Sequence, residues 1–307
     1  MIRWVGVLAL AMGCCATPVL ATPAVEGEGM ALNSVDLRPI LVWSVIACIT
    51  LIVLIQRGTL RLRSGVGGEI REVHRGAALF WLVCAMGVYL SVAFFGSVVS
   101  SILISNGWSM DDWPAKAISM WGAYLGAGAG IVALVATQNK RCVESGIRTS
   151  PLDAVSGIGA FALAIPIVTV ASLSASIVAD LVRGAPSPAI SHSLLADIAE
   201  GRQTLAWWAV VGGVVLAAPV IEEFIYRGFL QTAFRSAGVK PWGAIVATSA
   251  IFALAHSNSV RPEAMVALFV LSLAFGVAYE RSGRIGVPIV MHAAFNTFNL
   301  ALMAYAR

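Results

Sequence analysis

From residue 39 to residue 304 the chain keeps returning to uninterrupted apolar runs, most of them long enough to cross the ~30 Å hydrocarbon layer of a bilayer at ~1.5 Å per helical residue. Inside such a layer every backbone amide and carbonyl must find a partner within the protein, which only α-helices and closed β-barrels provide. The runs show no period-two alternation, so a barrel is excluded and the fold class is all-α. Composition agrees: 59% of residues are hydrophobic and 12% charged, with mean hydropathy +0.86. The chain reads as a polytopic membrane helix bundle.

Spans are expected at 39–56, 77–104, 118–137, 153–182, 205–230, 243–256, 263–279 and 286–304, about eight in all. Ahead of them, Arg3, an apolar stretch from Trp4 to Gly13 and the small residues before Thr22 form a signal peptide with cleavage expected after Ala21. An uncleaved anchor is the competing reading of the same stretch. The connection from Arg57 to Arg75 carries Arg57, Arg61, Arg63, Arg71 and Arg75 and is expected in the cytoplasm, with the mature N-terminus outside. Asp111 and Asp112 then fall outside, whereas Lys140, Arg141, Arg148, Arg235, Lys240, Arg281 and Arg284 fall inside. These inside loops account for the formal net charge of +4, so no nucleic-acid partner is implied; the partner is the lipid bilayer. Cys48, Cys84 and Cys142 lack metal-type spacing, and no disulfide is expected among them.

Two regions follow from where polar residues sit. Residues 39–182 form N-terminal spans nearly free of them, in which Gly122, Gly126 and Gly130 recur at the spacing that lets helices approach closely. Residues 205–304 hold three polar constellations: Glu222-Glu223-Phe-Ile-Tyr-Arg227, Phe252-Ala-Leu-Ala-His256 and His292-Ala-Ala-Phe-Asn296. Carboxylates near hydrocarbon are costly unless paired, so the acidic pair marks a functional site. At about 100° per residue, Glu223 lies within about 40° of Arg227 on a helix, and Glu222 about 140° away. Glu223 is thus the partner of Arg227, and Glu222 is left as the reactive carboxylate and candidate general base. Two histidines on apolar helices beside an asparagine fit proton handling and oxyanion stabilisation, and Phe252 is expected to pack beneath His256.

In this order the three constellations resemble the CPBP family of intramembrane glutamic endopeptidases, also called the CAAX-protease, bacteriocin-processing or ABI family. Its pattern is Glu-Glu-x-x-x-Arg, Phe-x-x-x-His and His-x-x-x-Asn, complete here over about residues 205–304. The resemblance implies a peptidase in which Glu222 and His256 activate water while His292 and Asn296 hold the tetrahedral oxyanion, with Glu223, Arg227 and Phe252 in support. It implies a membrane-associated or lipidated peptide or protein as substrate. A divalent metal such as zinc enters only as an option, with Glu222, His256 and His292 as its ligands. A proton-coupled transporter and a non-catalytic immunity-type membrane protein are the rival readings of the same residues. The expected location is a bacterial inner membrane with the active site opening towards the cytoplasm. One tension accompanies this reading: with both helices starting at the membrane surfaces, Glu222 and His256 would stand about 15 Å apart in depth.

Overall fold

The computed structural model describes residues 38–62, 71–184, 194, 197–198, 201 and 203–305. The expected signal peptide lies outside these residues. Nine helices and no strand occur among them: α1 Arg38–Gln56, α2 Ala78–Ser105, α3 Trp113–Thr137, α4 Asn139–Glu144, α5 Asp153–Arg183, α6 Leu205–Ser236, α7 Pro241–Ala255, α8 Pro262–Ser282 and α9 Gly286–Tyr305. Chain punctuation explains their ends. Pro114, Pro241 and Pro262 occupy first-turn positions, where a missing N–H costs nothing. Gly184 (φ 67°) and Gly283 (φ 59°) stop α5 and α8 in the left-handed conformation.

Seven of these helices are long and apolar enough to span a membrane. The chain is an integral membrane protein. Its outer surface is hydrocarbon-like, with Leu41, Val45, Leu79, Leu82, Leu125 and Val155 all exposed. Along the whole of α1 only Ala47 is buried, as lipid contact allows. The remaining expected span, 243–256, is the short α7: its 15 residues cover about 22 Å, less than the ~30 Å core.

α6 is the centre of the bundle and touches α2, α3, α7, α8 and α9. It is not uniformly α-helical. Wider π-type turns occupy Gly213–Ala217 and Phe224–Gln231, on either side of Ala218–Glu223. Pro219 donates no hydrogen bond and its ring crowds the carbonyl four residues back, so a widened turn just before it relieves the clash. Around α6, α2 packs on α3, α7 on α8, and α5 on α1, α8 and α9.

The connections segregate to two ends. Trp242 Nε1 donates to the Leu60 carbonyl (3.0 Å), Ser236 Oγ to the His74 carbonyl (2.5 Å), and Arg148 Nε to the Gly283 carbonyl (3.2 Å), which gathers the arginine-rich connections at one end. At the opposite end Lys116 pairs with Asp197 (2.7 Å) and Arg183 with Glu263 (3.3 Å). The close-packing expectation for the three glycines holds for two. A Cβ on Gly122 would meet Val99 at 2.8 Å and one on Gly126 would meet Phe95 at 2.3 Å, whereas Gly130 has nothing within 4 Å. Cys48, Cys84 and Cys142 are free thiols, with Cys142 buried in α4.

Candidate active site

Glu222 and Glu223 stand where the α-helical turn of α6 passes into its second π-type segment. Glu223 and Arg227 are both fully buried and paired, with Arg227 Nη1 donating to Glu223 Oε1 at 3.0 Å. Two charges taken from water into such a place are costly unless further hydrogen bonds support them. Arg227 Nη2 donates to Ser272 Oγ of α8 at 2.6 Å, and the guanidinium carbon lies 4.9 Å from the Phe252 ring and 5.0 Å from that of Phe275. His292 Nδ1 stands 2.9 Å from Glu223 Oε1 and donates to it, while its ring stacks on Phe275 at 5.0 Å. Glu223 is therefore more than the partner of Arg227. It also orients His292 and so ties the first constellation to the third.

His256 caps α7, beyond which the last carbonyls of the helix have no intrahelical donor. Its Nδ1 fills that need, 2.8 Å from the Phe252 carbonyl. A carbonyl only accepts, so Nδ1 carries a proton, and in the neutral form of the ring Nε2 presents its lone pair. That atom faces Glu222 Oε2 at 3.7 Å. Phe252 lies under the imidazole with ring centroids 4.6 Å apart, and Tyr226 meets Phe252 edge-on at 5.0 Å.

Glu222, His256, His292 and Asn296 all line one cavity of ≈ 440 Å³. The depth conflict is thus removed. α6 runs 32 residues, about 48 Å, so its ends project past the apolar layer and Glu222 falls near its middle; the short α7 brings His256 to it. Three orphans mark the cavity and its floor, since Glu222 Oε2, Glu223 Oε2 and Arg227 Nε have no hydrogen-bond partner among the described residues. Asn296 differs from a wholly free oxyanion donor: its Nδ2 donates to the Val214 carbonyl at 2.8 Å, which leaves the second hydrogen of the amide available.

Part of the site escaped the sequence reading. The cavity wall includes Tyr89, Val92 and Ala93 of α2 and Tyr124 of α3, from the region whose spans carry almost no ionisable groups. Ser272, which anchors Arg227, had only the signal of a hydroxyl on an apolar helix. From the connecting segments the cavity draws on Leu194 and Ser259, at the end away from the arginine-rich connections. Among the described residues no three His, Cys, Asp or Glu side chains stand close enough to hold one metal ion.

Residues 203–298 match the family model described as type II CAAX prenyl endopeptidase Rce1-like. An uncharacterized 24.3 kDa protein of Escherichia coli is 32% identical over 88 residues, which are 28% of this chain and 41% of that protein. The chain thus spans less than half the length of this relative. No solved structure matches.

Proposed function

We propose that this chain, whose residues 203–298 match the type II CAAX prenyl endopeptidase Rce1-like family model, is an intramembrane endopeptidase with Glu222 as its general base. The observation that carries the reading is the approach of Glu222 Oε2 to His256 Nε2, 3.7 Å apart inside the shared cavity. Both atoms are acceptors when the carboxylate is ionised and the imidazole neutral, so a hydrogen-bearing molecule must lie against them, and water serves. Water gives a proton to Glu222 as its oxygen bonds to the scissile carbonyl carbon. His256 holds the water through Nε2, while its Nδ1 stays tied to Phe252.

The carbonyl oxygen then becomes an oxyanion, received by His292 Nε2–H and by the amide hydrogen of Asn296 that Val214 does not take. Glu223 supports this role, because its carboxylate at His292 Nδ1 stabilises the imidazolium that a donating Nε2 requires. Collapse of the intermediate breaks the C–N bond, and the proton on Glu222 passes to the leaving amine. Atoms and charge balance without further reagent.

Apolar walls around the pair, including Val92, Ile221, Leu268, Leu271 and Phe295, support a membrane-associated or lipidated peptide or protein as substrate. The proposed setting is a bacterial inner membrane with the arginine-rich end in the cytoplasm. Leu194 and Ser259 in the lining then favour a cavity open to the other face. An internally quenched apolar peptide, with and without a prenyl group, tests the activity on the purified full chain. Glu222→Gln is expected to lower kcat by about 10²–10⁴, the usual worth of a general base, with KM little changed. A parent-like rate in this variant removes the proposal.

A further inference from the structure

At the arginine-rich end, the segment 71–77 is pinned to the ends of two helices. Arg71 N donates to the Glu280 carbonyl (2.9 Å), Gly76 N to the Ser236 carbonyl (3.2 Å) and Ala77 N to Ser236 Oγ (3.1 Å). Between this segment and the end of α6 lies a cavity of ≈ 400 Å³ lined by Arg71, His74, Arg75 and Arg235, with Glu72 as the acid in its lining. It shares no lining residue with the cavity of Glu222.

Among the described residues charge does not balance there. The fully buried Glu280 carboxylate serves two guanidinium groups, with Arg71 Nη2 at 2.9 Å and Arg235 Nε at 3.5 Å. Among the described residues one positive charge therefore remains over, with the Arg235 side chain 15% exposed. Arg75 makes no ion pair among the described residues and repels Arg235. One donor is also left over: Arg71 Nη1 donates to the Ser145 carbonyl (2.7 Å) and to Thr232 Oγ1 (2.9 Å), but Arg71 Nε, on a side chain only 2% exposed, has no hydrogen-bond partner among the described residues. Glu72 is exposed, so water screens its compensation.

We propose that this cavity binds a phosphate-class anion between Arg71, Arg75 and Arg235, with His74 at its rim. Guanidinium forks match phosphate oxygens in geometry, and an anion here supplies the charge that Glu280 alone does not. The shared chemistry is a phosphate group, carried by an anionic lipid headgroup or free in solution. Basic pockets between helices at a membrane surface suit the first source. Since Arg235 belongs to α6, the bound anion also braces the helix that carries Glu222.

Thermal unfolding of the purified full chain tests this. Inorganic phosphate in lipid-free neutral detergent raises the midpoint if a free anion is taken, and chloride at matched ionic strength leaves it unmoved. If the source is a headgroup, phosphatidylglycerol in nanodiscs raises the midpoint relative to phosphatidylcholine and inorganic phosphate does not. In either case Arg75→Gln, an exposed rim position whose loss does not threaten folding, weakens the apparent Kd for the active probe about tenfold, the worth of one charge-assisted hydrogen bond. Arg235→Gln acts in the same direction. No shift with either probe, or shifts of parent size and affinity in Arg75→Gln, overturns the proposal.

Discussion

Arg227 holds three things at once: the Glu223 carboxylate, the hydroxyl of Ser272 and the faces of Phe252 and Phe275. Its removal leaves Glu223 buried with only His292 as partner, so Arg227→Met is expected to destabilise the fold by about 3–5 kcal/mol. The double variant Glu223→Gln/Arg227→Met removes both charges and is expected to recover much of that loss. Unfolding midpoints of the purified variants check the pair; equal losses in single and double variants refute the coupling. Glu222 is different in kind, because its Oε2 has no hydrogen-bond partner among the described residues that a substitution would orphan. Glu222→Gln should therefore keep the parent midpoint while activity falls. At this scale the sequence was legible. The i,i+4 spacing singles out Glu223 for Arg227, and that pair forms even though Phe224–Gln231 winds in wider turns than the 100° rule assumes. The bond between Glu223 and His292 was not legible, because it joins side chains 69 positions apart and depends on how α9 packs against α6.

Among the elements, the glycines show how packing departs from pattern. Spacing drew attention to Gly122, Gly126 and Gly130, but a close approach to backbone occurs at Gly157 of α5, which no spacing marks. A Cβ there would stand 2.6 Å from Val290 Cβ and 2.8 Å from the Val287 carbonyl oxygen of α9. Backbone cannot swing aside as a lipid-facing side chain can. Gly157→Ala is thus expected to cost about 1–3 kcal/mol by forcing α5 off α9, read as a lowered unfolding midpoint. Gly130→Ala, with nothing within 4 Å, should change the midpoint by no more than about 0.5 kcal/mol. A reversed order would contradict this packing. α7 shows a different division: its shortness was already in the expected span 243–256, and only the depth at which it places His256 needed the packed bundle.

Across the whole molecule, charge on the connections and geometry agree on two distinct ends, and the test of their sidedness is chemical labelling. With the arginine-rich end in the cytoplasm, Lys140→Cys in a variant lacking the native cysteines should react with a membrane-impermeant maleimide only after the cell is opened. Asp111→Cys should react in intact cells. The reverse pattern would invert the proposed orientation. Helical class, membrane residence and the residues of the three constellations are determined by the sequence alone, because hydrocarbon forces backbone groups to pair locally and makes every retained charge conspicuous. Only the tertiary structure decided that Glu222 meets His256, that α2 and α3 wall their cavity, and that a second, cationic cavity lies at the other end of α6. Those outcomes depend on helix length, offset and rotation in a packed bundle, quantities set by contacts between distant residues.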